Sequence, residues 1–330
     1  MTSAVDKVID YSVKQYLANC ESDELTFDPD ATLIVSEKGD AEKSYKGFTG
    51  YHPMLGFLSD GEGNPMCSYV KFRHGNASPQ VDILESLQHT ETLLRQEQRI
   101  KYFRSDSAAY QSKIVDYCND HGIYYTITAD MDASVRDAIL SIPSNSWNPL
   151  HDRKDGFKTG REVSETIHTM NENNHSFRLI VQRELIDEPS LFECWGNYKY
   201  YCIITNIPEE ENNSEEVIWH HNRRGNAEKY IEDSKYGLKL RFVPCGQYEA
   251  NAMYFMIGML TYNLIKLMQM LVLPKRWLKK TILELRNTLF RIVAKVTKSG
   301  HQIKLQVNKT LEEIEELILI RERIYQLSIA

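Results

Sequence analysis

The sequence lacks a net positive charge, paired cysteines, internal repeats and an apolar leader. Its 39 Lys and Arg are outnumbered by 46 Asp and Glu, giving a net charge of -7. That removes the global basic signature of a nucleic-acid-binding chain, so any such signal must be local. Six cysteines (Cys20, Cys67, Cys118, Cys194, Cys202, Cys245) are scattered without a C-x-x-C pair. This argues against a zinc ribbon or disulfide framework and for reduced thiols, hence a cytoplasmic protein. The first residues, MTSAVDKVIDYSVKQY, carry charges throughout and contain no signal-peptide core. His220 and His221 are adjacent, so on a helix they diverge by about 100° and make a poor zinc chelate. One apolar run, residues 253–273, reaches transmembrane length. Asn263, Lys266 and Gln269 interrupt it, and no second run accompanies it, so a buried core helix and no membrane contact are expected.

What is present is globular: 330 residues, 42% hydrophobic and 26% charged, enough for a core domain with an insertion. Residues 1–20 show helical periodicity, and LTFDPDATLIV (25–35) reads as a strand. Residues 48–72 read as two strands split by the turn SDGEGNP. Then come a helix (79–98), a strand (100–105), a helix (108–121) stopped by Gly122, and a strand (123–129). A hairpin meander followed by αβαβ is the order of an RNase H-like mixed sheet flanked by helices, an α/β (α+β) fold. A fully parallel sheet would need a crossover helix between the early strands. The expected organisation is a first core part (1–131), an inserted β-rich subdomain (132–206), core helices (207–273) and a basic helical C-terminal extension (274–330).

Asp28 and Asp30 lie two apart on an apolar strand and share a face. Buried acids need a cation, because desolvating an unpaired carboxylate is costly. Asp106 follows the strand IKYFRS directly, and if that strand lies beside the first, Asp30 and Asp106 meet. Carboxylates converging there call for a divalent ion, and oxygen-only ligands select magnesium or manganese. Two such ions about 4 Å apart suit phosphoryl transfer. In WHHNRRGNAEKYIEDSKYG, Arg224, Glu228 and Lys235 fall on nearly one helical face, an acid for metal with two bases for phosphates. The same spacing also describes a solvated helix with ion pairs.

These residues resemble the bacterial insertion-sequence DDE transposases with the Y-x2-R-x3-E-x6-K signature. Arg224, Glu228 and Lys235 match it, with His221 at the tyrosine position. DPDATLI resembles the first-Asp motif and DSAAY the second, which gives Asp30 and Asp106. Supporting matches are YKGFTGYHPMLGF (45–57), RHGN (73–76), ANAMYF, LPKRWLKKTI and SGHQ, so the resemblance spans almost the whole chain in order. It implies a catalytic and metal-binding triad of Asp30, Asp106 and Glu228 with two Mg2+ (or Mn2+) ions. It further implies DNA (transposon ends and target) as partner, a homodimer during transposition, and phosphate contacts from Arg224, Lys235 and, more weakly, His221. The reaction implied is nicking at a transposon end and 3′-hydroxyl strand transfer. Family members carry a further N-terminal region for end recognition, and little precedes the first strand here, so the chain is expected to be short in that respect. Trp147 and Trp195 fall in the insertion, where packing is the expected role. Pro29, inside the first strand, should cost stability or force a bulge.

Residues 274–309 hold ten Lys and Arg against Glu284 alone, a local charge near +9 on an otherwise acidic chain. Lys275, Arg276, Lys279, Lys280 and Arg286 are the expected phosphate contacts of this arm. Leu278, Ile282, Leu285, Leu289 and Ile292 recur at helical spacing beneath the charge. Two rival readings stand beside the transposase. A haloacid-dehalogenase-like phosphatase would use Asp28 as nucleophile and Asp30 as acid/base. An inactive transposase remnant would bind DNA without recombining it.

Overall fold

The computed structural model describes residues 2–44, 46–61, 65–186, 197–300, 302–307 and 310–327. Tyr45, Cys194, Trp195, His301, Lys309 and part of the turn at 62–64, named above, lie outside these residues. In chain order, α1 (Thr2–Ala18) precedes β1 (Glu24–Ala31), the short strands β2 (Ile34–Val35), β3 (Glu42–Lys43) and β4 (Thr49–Tyr51), and the hairpin β5 (Met54–Ser59) and β6 (Met66–Lys71). Then follow α2 (Ile83–Glu91), β7 (Arg99–Ser105), α3 (Ser112–Asp120), β8 (Tyr124–Thr128) and α4 (Ala133–Leu140). Strands β9 (Asn148–His151), β10 (Lys158–His168), β11 (Phe177–Leu185) and β12 (Tyr198–Thr205) come next. The remainder is α5 (Ser214–Asn222), α6 (Gly225–Gly237), α7 (Tyr248–Leu271), α8 (Ile282–Leu285), β13 (Ala294–Ser299), β14 (Gln302–Val307) and α9 (Leu311–Gln326).

Nine strands form one sheet in the order β6-β5-β1-β7-β8-β12-β11-β10-β9. The β1, β5 and β6 strands pair antiparallel, while β7 and β8 run parallel to β1. This is the expected RNase H-like mixed sheet with flanking helices. The inserted strands extend it: β12 pairs antiparallel with β8 through Ile203↔Thr128 to Thr205↔Thr126. The phosphatase reading fails at this level, because β1 has an antiparallel neighbour on one side. Pro29 is tolerated for a local reason: pairing with β7 runs only from Glu24 to Phe27, so that ladder never asks for its N–H.

The sheet core is Leu25, Phe27, Phe103, Tyr125 and Ile127, packed against α1, α2 and α3 by Val13, Leu17, Leu87 and Ile114. On the other side, Phe57, Phe255, Met259 and Tyr262 form a second cluster with Ala227 and Ile231 of α6. Helix α7 owes its place to the polar residues that interrupt its apolar run. Asn263 accepts from Cys67 N at 2.9 Å and donates to Cys67 O at 2.9 Å and Ser12 Oγ at 3.0 Å, tying α7 to edge strand β6 and to α1. Among the described residues, no helix is long and apolar enough to cross a membrane.

Two local expectations differ from the structure. The helix expected over 79–98 is confined to Ile83–Glu91, because Asp82 before it takes a left-handed φ of 72°. The C-terminal stretch, expected to be helical, contains the β13–β14 hairpin. Its β-branched residues Val293, Val296, Thr297, Ile303 and Val307 favour extended backbone, and Gly300 (φ 61°) turns the chain. The apolar spacing upstream suggested a longer helix, but only Ile282 and Leu285 bury fully.

Candidate functional site

Side chains alternate along β1 and β7, and Thr26 pairs with Tyr102. One sheet face therefore carries Thr26, Asp28 and Asp30 beside Tyr102, Arg104 and Asp106. The middle pair is a fork: Arg104 donates to both Asp28 oxygens at 2.7 Å, with Asp28 1% exposed and Arg104 nearly as buried. Burial pushes the Asp28 carboxyl up, and the Arg104 fork and Arg224 offset that only in part. Asp28 is thus structural, and the nucleophile role required by the phosphatase reading has no accessible carboxylate to perform it.

Beyond that pair, Asp30, Asp106, Glu228, Arg224 and Lys235 line one cavity of about 400 Å³. Asp30 comes from the end of β1. Asp106 directly follows β7 and caps the turn at Ser107–Ala109, accepting from Ala108 N at 3.0 Å. Helix α6 delivers the rest: Arg224 stands just before its first residue, Glu228 lies in its first turn, and Lys235 reaches the Leu33 carbonyl at 3.1 Å. The Asp30 carboxyl is pushed up to about 7, first by burial, then by repulsion from Asp106 and from Glu228, with Arg224 opposing. That is the electrostatic mark of three acids facing a common space. Burial also pulls the Lys235 ammonium down, while Asp30 raises it.

The donor set is oxygen-only and fits a hard divalent cation. It is not drawn tight: among the described residues, no three His, Cys, Asp or Glu side chains form a ready metal cluster. The loose member is Glu228, which is 62% exposed and turned toward Arg224 at 3.5 Å. Sequence reasoning missed three lining residues, Lys46, His52 and Glu232. Glu232 was findable, since it sits one turn beyond Glu228 on the same helix. His52 is held by loop packing that no spacing rule reveals: Arg73 donates to His52 O at 2.8 Å and to Val81 O at 2.8 Å. A Cβ on Gly75 would meet Glu42 O at 2.2 Å, which explains the glycine in RHGN.

The remaining expected residues lie elsewhere. His221 is 1% exposed, with Nε2 3.0 Å from Thr128 Oγ1 and Nδ1 3.1 Å from Thr126 Oγ1. Burial, then Arg224, holds its pKa down to about 3, so it is a neutral ring plugged into the sheet. The expectation that it donates to DNA phosphate does not fit that position. In the basic arm, Arg276 is bound by Glu316, Lys280 by Glu284 at 2.9 Å, and Arg286 by the Gly237 carbonyl. Lys275 and Lys279 are exposed. None of these five lines the carboxylate cavity. Trp147 stacks on the Arg183 guanidinium at 4.0 Å, a packing contact.

Residues 2–329 match the family described as transposase DDE domain, group 1. No curated protein matches the sequence. Among solved structures, the chain is similar to the piggyBac transposase in a cryo-EM structure of its synaptic complex with hairpin DNA, at 10% identity and a TM-score of 0.45. That likeness covers 81% of this chain and 52% of the other, so the chain spans about half the length of that relative.

Proposed function

The chain belongs to the group 1 transposase DDE domain family, and from that premise we propose that it is the catalytic domain of a DNA transposase whose triad is Asp30, Asp106 and Glu228. The observation that carries the reading is the shared cavity: three carboxylates from two strand ends and a helix, with Arg224 and Lys235 on its wall. Two Mg2+ or Mn2+ ions held there would supply Lewis acidity to activate an attacking water or 3′-hydroxyl and to stabilise the departing oxygen. Asp30, whose carboxyl is pushed up by burial and by the charges of Asp106 and Glu228, would be stabilised in its ionised form by a cation. Arg224 and Lys235 hold the scissile strand by its phosphates and orient the bond to be broken. The Asp28–Arg104 fork beneath fixes the two strands, and so the spacing of Asp30 and Asp106.

Lys275 and Lys279 fit a sequence-independent phosphate contact, whereas Arg276, Lys280 and Arg286 are committed to intramolecular partners. The transposon ends and target as substrates, and a homodimer holding two ends, belong to the same proposal. The test is nicking of duplex DNA by the full chain with magnesium. Nicking that vanishes with chelator and in Asp30→Asn, Asp106→Asn and Glu228→Gln supports it. DNA binding with no metal-dependent nicking under any condition would mean an inactive remnant.

A further inference from the structure

A second, larger cavity lies on the other side of the Asp28–Arg104 pair. It encloses about 600 Å³ and is lined by Thr26, Tyr102 and Arg104 of the same two strands, with Arg153, His220 and Arg223 above them. Thr26 and Asp30 are four residues apart on β1, so the two cavities are about 13 Å apart along one sheet face. The neighbours Arg223 and Arg224, at the break between α5 and α6, divide between them: Arg223 lines the second cavity and Arg224 the first.

The charges here do not cancel locally. Glu24 is taken by Arg99 and Lys101 at 2.6 Å each, and Glu216 Oε2 accepts from Asn213 N in the α5 capping box. Asp60 adds one more negative charge to the wall. Arg153 and Arg223 have no acidic partner among the described residues. The charges felt at Arg223 are those of Arg153 and Arg104, and at His220 those of Arg104, Arg223 and Arg153, all cationic. A cation at the end of α5 is favourable by itself, which accounts for Arg223 alone. It does not account for Arg153, brought from a separate loop to the same cavity. Guanidinium groups gathered around a concave space raise its positive potential and favour an anion there, and the planar fork of arginine matches phosphate oxygens.

We propose that this second cavity is a phosphate-binding station for the DNA backbone, with Arg153 and Arg223 holding a phosphodiester of the duplex whose strand lies at the carboxylates. The inference rests on the preceding reading only for the identity of the polymer. The 13 Å separation corresponds to about four base-pair rises of duplex. Contacts on both sides of the Asp28–Arg104 pair would therefore fix the angle at which DNA crosses the sheet. Phosphate contacts carry no sequence information, so the station acts in positioning.

The test uses the full chain and a fluorescein-labelled duplex, with affinity measured against salt and no cleavage required. Arg153→Gln/Arg223→Gln is expected to lower the salt slope by about 2. Arg153→Lys/Arg223→Lys should restore the slope, which separates lost charge from a damaged fold. Duplexes carrying a single neutral methylphosphonate, scanned along one strand, should show a position that weakens the parent and leaves the glutamine variant unaffected. Unchanged slope and affinity in the glutamine variant overturn the proposal. So does binding of ADP that depends on Arg153 and Arg223 while duplex binding does not. If these effects are seen but no metal-dependent nicking occurs, the catalytic reading fails and the station stands; the reverse pattern overturns the station alone.

Discussion

Replacing Arg104 by methionine removes the partner of the most deeply buried carboxylate on the functional face. Asp28 is 1% exposed and accepts two bonds of 2.7 Å from Arg104. Leaving such a carboxylate unpaired costs about 3–5 kcal/mol, most of it the penalty of an uncompensated buried charge. The opposite change, Asp28→Leu, should cost less, about 1–3 kcal/mol. Arg104 keeps a small edge on the second cavity, and its Nη1 lies 3.5 Å from the His220 carbonyl, so it retains one partner when Asp28 is lost. The double variant Asp28→Leu/Arg104→Met replaces the pair by apolar groups of similar bulk and should return to within about 1.5 kcal/mol of the parent. Urea unfolding at neutral pH measures all three, with comparable m-values as the check that the same structure is being unfolded. An Arg104→Met cost below about 1 kcal/mol, or a double variant no more stable than Arg104→Met, would refute the view that this pair anchors the face.

His221, held down to about 3, is neutral in the fold while its unfolded form titrates near 6.5. Its contribution is complete above about pH 6.5 and is lost as pH falls toward its folded value; between pH 6.5 and 5.0 that is about 2 kcal/mol. Urea unfolding across that range should show a shallower decline in His221→Asn than in the parent; parallel curves would contradict the neutral, buried ring. Asn263→Leu should cost about 2–4 kcal/mol by leaving both Cys67 backbone groups without their partner; a thermal melt unchanged from the parent would count against α7 being tied to β6 in this way. Lys275→Glu/Lys279→Glu should weaken binding of unrelated duplexes alike and lower the salt slope by about 2; unaltered binding would leave the arm a solvated face.

The succession of hairpin strands, helices and strands along the core and the shared face of Thr26, Asp28 and Asp30 could be read from alternation and turn residues, because each depends on neighbours in sequence. Arg224, Glu228 and Lys235 were legible because one continuous helix, α6, carries their spacing from its N-cap onward. His221 failed for the complementary reason. The helix is interrupted between Asn222 and Gly225, so His221 belongs to α5 and points into the sheet. The role of Asp28 depended on Arg104, 76 residues away, and could not be assigned from its own strand. The second cavity was invisible to spacing altogether, since Arg104, Arg153 and Arg223 are distant in sequence and only the fold gathers them. The C-terminal hairpin shows the limit of periodicity when short apolar repeats fit two structures and β-branched residues decide.

The central claim is that Asp30, Asp106 and Glu228 form one cation site although Glu228 is turned toward Arg224. Calorimetric titration of the full chain with Mn2+ tests it most directly, because it needs neither a DNA sequence nor turnover. The account predicts saturable binding by the parent, lost or weakened at least tenfold in Asp30→Asn, Asp106→Asn and Glu228→Gln alike, with each variant keeping the parent's circular dichroism. Glu228→Gln binding Mn2+ as the parent does, while Asp30→Asn does not, would show that the helix carboxylate stands outside the site and contradict the triad.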